Sequence, residues 1–495
     1  RRLDYMFISN EIQEYVLKTE VLPSFATDHS PVLISISSSN EIKKGSGLWK
    51  FNNSLIYDQN YISQTKDLIL EIKTNSNSYS NFDDQVKWEF LKYEIRKFTI
   101  KYCKEKAKQK RARKEELETS LKTLEKNLDI SENQILYQSY RAELEGIYSE
   151  IAEGIRVRSK CQWYEEGEKS TKFFLNLEKN NNVRSQIKKV LVNTYEISDQ
   201  KNILHEIKVH FENLFSKKLS VSSNSCDSFL ESVATPYLNN IEKNTCEGDL
   251  SDIELYNSLI SMKNEKSPGN DGFSKEFFVI FWEDLKETFV DSIKEAKRCK
   301  SLSISQRQAV IKLLEKKDKD KRYIENWRPI SLLNVDYKII SKALAIRVKK
   351  VLPSLITSQQ TAYIQNRFIS ETGRLISDIL EMSDKLNVGG FIAAMDIEKA
   401  FDSLDHTFLV SVLKKFGFGD DLIDWVTILI RNQESCVINA GVTSSYFQLQ
   451  RGARQGDPIS PYLFILALET FFISIKNNVY INGINIFDPN FIYTA

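Results

Sequence analysis

The order of the elements predicted between residues 389 and 476 constrains the fold more than any other feature. Two glycines precede the apolar run 391–395, which has the length of a buried strand and ends at Asp396. A helix, a hairpin that turns at 439–441 and a loop with glycine and arginine follow. The loop leads into a strongly apolar helix that starts at Ser460 and Pro461. This order predicts an α+β fold in which a carboxylate ends a strand.

Asp396 has two interpretations. A carboxylate at the end of a buried strand is costly unless it is paired or binds a metal, and active sites on sheets are commonly built at strand ends. The alternative is a helix N-cap, because "DIEKAF" could open a helix. Phe401, five positions further on, and the loop "RGARQGDPISP" favour the catalytic interpretation.

Several stretches, in the same order along the chain, resemble the reverse transcriptase of LINE-type non-LTR retrotransposons. The catalytic motifs are similar at "AAMDIEKAFD" and "RGARQGDPISP", and the fingers motifs at "NEKSPGNDGFSKEFF", "AVIKLLEKKDK", "NWRPISLLNVDYKIISKALAIRV" and "QQTAYIQNRFI". The resemblance implies a right-hand polymerase with fingers and a partial palm. It also implies target-primed cDNA synthesis by two-metal nucleotidyl transfer, with an RNA template, a DNA primer and deoxynucleoside triphosphates as partners.

The resemblance also assigns roles near the reaction. Asp396 would bind two Mg²⁺ ions, and Ile397 would give its backbone carbonyl to a metal and its amide to the triphosphate. Phe401 would act as a steric gate against the ribose 2′-hydroxyl, whereas without the motif it would be a core aromatic. Asp402 is expected to fix the turn, Asp457 to cap its loop and His406 to start a helix. Glu398 and Asp405 are expected to face solvent.

Other implied roles concern the nucleotide and the template. Gln455 and Gly456 would let the backbone approach the incoming nucleotide or the template. Lys312 and Arg328 would clamp the triphosphate, and a guanidinium suits bidentate contact with phosphate. The basic face of a fingers helix near the template backbone would consist of Lys338, Lys342 and Arg347.

A two-metal site needs further carboxylates, so that two ions can lie about 4 Å apart. In the family they come from a Tyr-x-Asp-Asp hairpin, and this sequence ends where that motif is expected. We therefore expect residues 1–495 to be a fragment that does not polymerise by itself.

The first residues resemble the end of an apurinic/apyrimidinic-type endonuclease domain, at "RRLDYMFIS" and "ATDHSPVLISI", both predicted as strands of a β-sandwich. The resemblance implies that His29 would contact the scissile phosphate, that Asp4 would orient its imidazole and that Asp28 would lie by a metal. Without that context, the Asp-His pair would be a capped turn. The earlier part of the site is missing, so no DNA cleavage is expected.

Between these regions the sequence predicts a helical hairpin. Leucines recur at 117, 121, 124 and 128, and a second apolar stripe starts at Leu144 after a capping sequence at 131–134. The basic run 104–114 is either a solvated helix face or a phosphate-binding surface. In the second case, the contacts would come from Lys110, Arg111 and Arg113.

The predicted divisions are an endonuclease remnant at 1–40, a basic helical linker at 41–190, an extension at 191–265 and the reverse transcriptase at 266–495. No apolar run is long enough to span a membrane, and the six cysteines show no zinc-site spacing. The family is expected in the nucleus and cytoplasm. The remaining alternatives are a non-catalytic remnant that binds RNA or DNA and a group II intron maturase, which the endonuclease-like start argues against.

Overall fold

The computed structural model describes residues 5–21, 32–36, 45–75, 82–125, 131–159, 186–217, 223–488 and 491–493. The chain forms two compact units. The first comprises Arg1–Gly45 and Arg96–Ile187, and the second comprises Ser46–Ile95 and Lys188–Ala495. These units divide the chain differently from the four predicted ranges, whose domain identities stay predictions. Within the described ranges, no helix is long and apolar enough to cross a membrane.

The structure mixes helices and strands. The helices are α1 (Asn10–Gln13), α2 (Gln59–Asn75), α3 (Asp84–Leu124), α4 (Ser131–Ser159), α5 (Gln200–Phe215), α6 (Ser223–Ser232), α7 (Asn240–Cys246), α8 (Asp252–Ile260), α9 (Lys275–Ile280), α10 (Trp282–Cys299), α11 (Ile304–Arg307), α12 (Val335–Leu355), α13 (Ile369–Lys385), α14 (Ala400–Ser403), α15 (His406–Lys415), α16 (Asp420–Ile430) and α17 (Ser460–Lys476). The strands are β1 (Val16–Val21), β2 (Val32–Ile36), β3 (Val190–Val192), β4 (Tyr195–Ile197), β5 (Gln308–Glu315), β6 (Trp327–Leu333), β7 (Glu434–Asn439), β8 (Val442–Thr443), β9 (Phe447–Gln448), β10 (Ile484–Asp488) and β11 (Phe491–Tyr493).

In the first unit, β1 and β2 form an antiparallel pair. The strand predicted in the second endonuclease-like stretch is confirmed as β2, whereas 5–9 in the first stretch carry no strand, so that prediction is wrong there. The Phe7 side chain is 94% exposed. Alternating apolar and polar residues form a strand only where a neighbouring strand supplies the hydrogen bonds. The predicted β-sandwich remnant stays a prediction.

The predicted helical hairpin is confirmed in the first unit by α3 and α4. Leu117, Leu121 and Leu144 form its buried core. The two helices run antiparallel, because Tyr148 donates to Glu118 of α3 while Tyr137, earlier in α4, donates to Glu125, directly after the end of α3. The leucine stripe was readable from the sequence because its period matches one face of a helix.

The second unit contains a five-stranded sheet. Its order is β6-β5-β7-β8, and β9 also pairs with β7. Strand β5 is antiparallel to β6 and parallel to β7. The predicted hairpin is confirmed, since β7 turns back into β8 through Ala440 and Gly441, which both have positive φ. The predicted apolar helix is confirmed as α17, which starts at Ser460 with proline in its first turn.

Helix α12 runs through the core of the second unit, with Tyr337, Ile340, Leu344 and Val348 all fully buried. Its apolar residues surround the whole helix, which is typical of a helix covered on all sides. A cluster of aromatic rings from "GFSKEFF" packs nearby, where the Phe273 and Phe277 ring centroids lie 4.5 Å apart. Two fingers-like stretches therefore contribute residues to the core of the second unit.

A buried ionic cluster also stabilises the second unit. Lys92 Nζ lies 2.7 Å from the Asp336 carboxylate and 3.7 Å from that of Asp271. Trp88 donates its indole N–H to Asp336 at 2.9 Å. Burial by itself lowers the pKa of Lys92, but the carboxylates of Asp336, Glu89 and Asp271 outweigh it, and the net shift is upward. Lys92 therefore stays charged and neutralises the buried acids.

Candidate active site

Asp396 lies on an exposed segment rather than at the end of a buried strand. Residues 389–397 form no helix or strand, and the Phe391 side chain is 89% exposed. The prediction of a buried strand over 391–395 is therefore wrong for this structure. An apolar run fixes the length of a strand but not its hydrogen-bonding partner, and within the described sheet the place beside β5 is occupied by β7.

Asp396 is one of the residues that line a cavity of about 570 Å³. Met395 and Ile397 line it beside Asp396, and the rings of Phe408 and Phe464 form part of its wall. Ile397 follows Asp396 and lines the same cavity, and its predicted role stays a prediction. The cavity combines one acidic group with an otherwise largely apolar lining.

The Phe401 ring packs against the Phe464 ring of α17, with centroids 4.8 Å apart and planes 27° apart. The Phe401 carbonyl accepts from the Ala453 amide at 2.7 Å. Phe401 therefore joins the segment after Asp396 to the arginine-rich loop and to α17. This packing agrees with the core-aromatic interpretation, and the steric-gate role stays a prediction.

The loop 451–459 is fixed to strand β6 and to α14. The Ser331 amide donates to the Gln455 carbonyl at 2.9 Å, and the Gln455 side chain donates to Asp402 at 3.3 Å. Gly456 has φ +113°, and a Cβ there would lie 2.9 Å from the Ser331 carbonyl oxygen. Only glycine adopts this conformation at so close an approach without strain. Gln455 and Gly456, predicted from the motif, are thus brought beside the residues that follow Asp396.

Asp402 was predicted to fix the turn, and its carboxylate accepts from the Gln455 side chain. Burial raises the pKa of Asp402 to about 6, and Gln455, Lys399, Arg451 and Lys316 act in the opposite direction. The three cations around this carboxylate were missed by sequence reasoning. The charges were visible in the quoted motifs, but only the fold brings them together.

A second buried network holds the other end of the loop. The Asp457 carboxylate accepts from the Tyr337 hydroxyl at 2.8 Å, from Ser341 and from Ser460. Its predicted loop-capping role is confirmed by the additional bond from the Ile459 amide at 3.5 Å. Burial raises the pKa of Asp457, whereas its partners lower it. The bonds to α12 could not be foreseen because more than a hundred residues separate the partners.

Arg454 is another residue that sequence reasoning missed. Its guanidinium is buried and donates to the carbonyls of Arg307 and Glu434. Burial lowers the pKa of Arg454, while Tyr337 and Asp457 act in the opposite direction. Arg454 thereby connects the loop with the entry into β5 and with β7.

The acidic residues that follow Asp396 have separate positions. Glu398 is exposed, as predicted. Asp405, predicted to face solvent, is half-buried, and its side chain caps α15 by accepting from the amides of Thr407 and Phe408. His406 starts α15, as predicted, and its Nε2 lies 2.8 Å from the Gly452 carbonyl oxygen.

Lys312 and Arg328 share one face of the sheet. Lys312 pairs with Ile330 and Leu314 pairs with Arg328, so the two cations occupy diagonal positions on β5 and β6. Both side chains are exposed, whereas the alternate residues of β5 are buried. The structure thus places the two predicted phosphate-binding cations on one accessible surface.

The basic face predicted for α12 is partly wrong. Arg347 is only 7% exposed, and its guanidinium binds both oxygens of Glu254 at 2.7 Å. It also donates to the carbonyls of Cys246, the last residue of α7, and of residues 247–249. The last carbonyls of a helix lack a donor within that helix, and here the buried guanidinium supplies one. Lys338 and Lys342 are half-buried, and burial lowers the pKa of Lys338.

The predicted basic residues of the first unit differ in their surroundings. Lys110 forms an ion pair with Glu150, and Arg113 binds both oxygens of Glu143 at 2.8 Å. Arg111 is exposed and donates to the Ala107 carbonyl at 3.3 Å. The predicted endonuclease residues Asp4, Asp28 and His29 lie outside the described residues.

The described residues do not assemble a complete site for two metal ions. Within them there is no group of three or more His, Cys, Asp or Glu side chains that could hold a metal. Asp396 is an exposed carboxylate next to a backbone carbonyl, and both are oxygen ligands that suit Mg²⁺. The predicted roles of Asp396 and Ile397 in metal binding stay predictions.

Comparison with known proteins identifies the class. Residues 314–488, which include β6, Asp396 and the loop 451–459, match the family Reverse transcriptase (RNA-dependent DNA polymerase). This is a family that generally uses divalent metals.

The match extends to transposable elements. The chain is 30% identical to the Transposon TX1 uncharacterized 149 kDa protein of Xenopus laevis over 483 residues, which are 97% of this chain and 36% of that relative. It is 26% identical over 152 residues to the Retrovirus-related Pol polyprotein from type-1 retrotransposable element R2 of Nasonia vitripennis, covering 31% of this chain and 15% of that protein. The matched part of the chain thus spans 36% of the length of the first relative and 15% of the length of the second. The matched domain and these relatives support a reverse transcriptase of the LINE type.

Proposed function

We propose that this chain carries the fingers and part of the palm of an RNA-directed DNA polymerase that performs target-primed cDNA synthesis. The proposal rests on the hydrogen bonds that Gln455 forms with Ser331 and with Asp402. These bonds join three family motifs around the segment of Asp396. The partners of the polymerase would be an RNA template, a DNA primer and deoxynucleoside triphosphates. Its location would be the nucleus and cytoplasm.

Asp396 is proposed as a ligand of Mg²⁺, together with the carbonyl of Ile397. Bound Mg²⁺ supplies charge neutralisation for nucleotidyl transfer. Its exposure supports this role, because an accessible carboxylate on a cavity wall can exchange water for a cation. Further ligands are required from outside the described residues.

The incoming nucleotide would contact two groups of residues. Lys312 and Arg328 lie on the accessible face of the sheet and supply positive charge for the triphosphate. Gln455 and Gly456 supply a loop backbone that is held in place by Ser331. Phe401, packed on Phe464, would limit the space beside the sugar.

The template backbone would contact α12 through Lys338 and Lys342. Arg347 is excluded from this role because its guanidinium is buried and fully engaged. The template surface is therefore smaller than the sequence predicted.

Primer extension on an RNA template in the presence of Mg²⁺, by the intact gene product, tests the proposal. Asp396→Asn is expected to lower extension by about a thousandfold, since loss of a metal ligand removes stabilisation of the developing charge. The exposed neighbour Glu398→Gln, which changes the charge equally, is the control and should keep activity. Full activity of Asp396→Asn would rule out the assignment.

The activity of residues 1–495 by themselves stays a separate prediction. They are expected to bind a template and primer without extending the primer. Mg²⁺-dependent extension by these residues, abolished by Asp396→Asn, would contradict it.

A further inference from the structure

A row of four basic side chains follows the face of α3 that points away from α4. Lys101, Lys104, Lys108 and Arg111 are three, four and three residues apart, so they lie on one side of the helix. All four side chains are exposed. We call these four residues the basic stripe. The basic stripe extends over ten residues, or about 15 Å of helix axis.

Three other cations of the basic run 104–114 have a different environment. Lys110 and Arg113 lie on the side of α3 that contacts α4, where they form ion pairs with Glu150 and Glu143. Lys114 also faces α4, and its Nζ lies 4.8 Å from the centre of the Tyr148 ring. These contacts hold the hairpin together. The run of basic residues therefore contains two sets with distinct roles.

The basic stripe has little compensating negative charge. Lys104 and Lys108 have no carboxylate partner among the described residues of the hairpin. Lys101 lies 4.0 Å from Glu105, and both of those side chains are more than 60% exposed. An exposed pair of this kind contributes little. Four adjacent cations on one helix face repel one another, and a polyanion would relieve that repulsion.

We propose that the basic stripe binds the backbone of a nucleic-acid duplex without reading its sequence. Evenly spaced cations along a straight helix match a regular row of phosphates. The basic stripe carries no aromatic side chain, whereas sites for single strands combine basic residues with aromatic rings on which bases stack. This surface lies in the first unit, outside the region that matches the reverse transcriptase family. It therefore does not depend on the proposed polymerase function.

The test is fluorescence anisotropy with the 495-residue chain and three probes of one length, namely an RNA duplex, a DNA duplex and a single-stranded RNA. The double variant Lys104→Gln/Lys108→Gln is compared with Lys110→Gln/Arg113→Gln, which removes the same charge from the side facing α4. Each titration is repeated between about 50 and 200 mM salt, the range over which phosphate contacts are strongly screened.

The variant of the basic stripe is expected to weaken binding to both duplexes about tenfold and to lower the salt slope by about 1.8, because each lost phosphate contact contributes about 0.9. The variant facing α4 should leave the slope unchanged. Lys104→Arg/Lys108→Arg, which keeps both charges, should retain the parental slope. Circular dichroism at the assay temperature is the control that tests whether each variant keeps its helix content.

Equal losses in the two glutamine variants would mean that only net charge matters, and that result would overturn the proposal. It would also be overturned if the parental slope persisted without Lys104 and Lys108, or if only single-stranded RNA lost affinity. A matching loss for RNA and DNA duplexes supports recognition of the shared backbone. None of these outcomes depends on primer extension, so failure here is distinct from failure of the polymerase assignment.

Discussion

Asp402 gives the surroundings of the candidate active site a dependence on pH. Burial raises its pKa from 3.8 to about 6. The folded chain therefore holds this proton more tightly than the unfolded chain. The resulting contribution to stability is fully present below about pH 4 and is lost as the pH rises through about 6. A shift of two pKa units corresponds to about 3 kcal/mol.

Asp402→Asn is expected to remove this dependence, because an amide stays neutral and can still accept from Gln455. At pH 8 the variant should unfold at a higher urea concentration than the parent chain, and at pH 4.5 the difference between the two midpoints should be clearly smaller. Tryptophan fluorescence during urea titration measures both values. Glu398→Gln, at a highly exposed position, is the control. If the difference between parent and Asp402→Asn were the same at both pH values, the argument from burial would fail.

At the scale of elements, the sequence predicted structure that depends on neighbouring residues, but it did not predict which distant residues contact one another. The hairpin of α3 and α4 was predictable because leucines at helical spacing define a buried stripe within each helix. The segment before Asp396 has an equally clear apolar pattern, yet it forms no strand. A strand depends on hydrogen bonds to another part of the chain, which the local sequence does not specify. The same reason explains why the partner of Arg347 was missed.

Arg347 joins three elements, because it lies on α12, binds Glu254 of α8 and satisfies the carbonyls that follow α7. Arg347→Met should destabilise the second unit by about 3 to 5 kcal/mol, since it leaves a buried carboxylate and several carbonyls without a partner. Thermal unfolding measures the loss, and the exposed Lys350→Gln on the same helix is the control. RNA affinity of the folded variant should equal that of the parent chain. A stable variant with weakened RNA binding would restore the template role.

At the scale of the whole molecule, residues before the recognised motifs form part of the second unit. The sequence predicted a helical linker over 41–190, but 46–95 cluster with 188–495. Gln85 donates to the Ser301 carbonyl at 2.6 Å, and Lys92 lies beside Asp336. Contacts across more than two hundred residues leave no periodic signal, so composition could not reveal them. The catalytic motifs were recognisable because their residues are close in sequence.

Lys92→Met tests whether this early segment stabilises the reverse transcriptase region. The substitution preserves length but removes the charge that neutralises Asp336 and Asp271, and burial already raises the pKa of Asp271 to about 7. Leaving buried carboxylates without a cation costs about 3 to 5 kcal/mol, so the second unit should unfold at a clearly lower temperature. Lys101→Met, on the exposed basic stripe of the same helix, should leave that temperature unchanged. Equal melting temperatures for parent and Lys92→Met would show that the acids take up protons at little cost, and that the early segment is dispensable for this core.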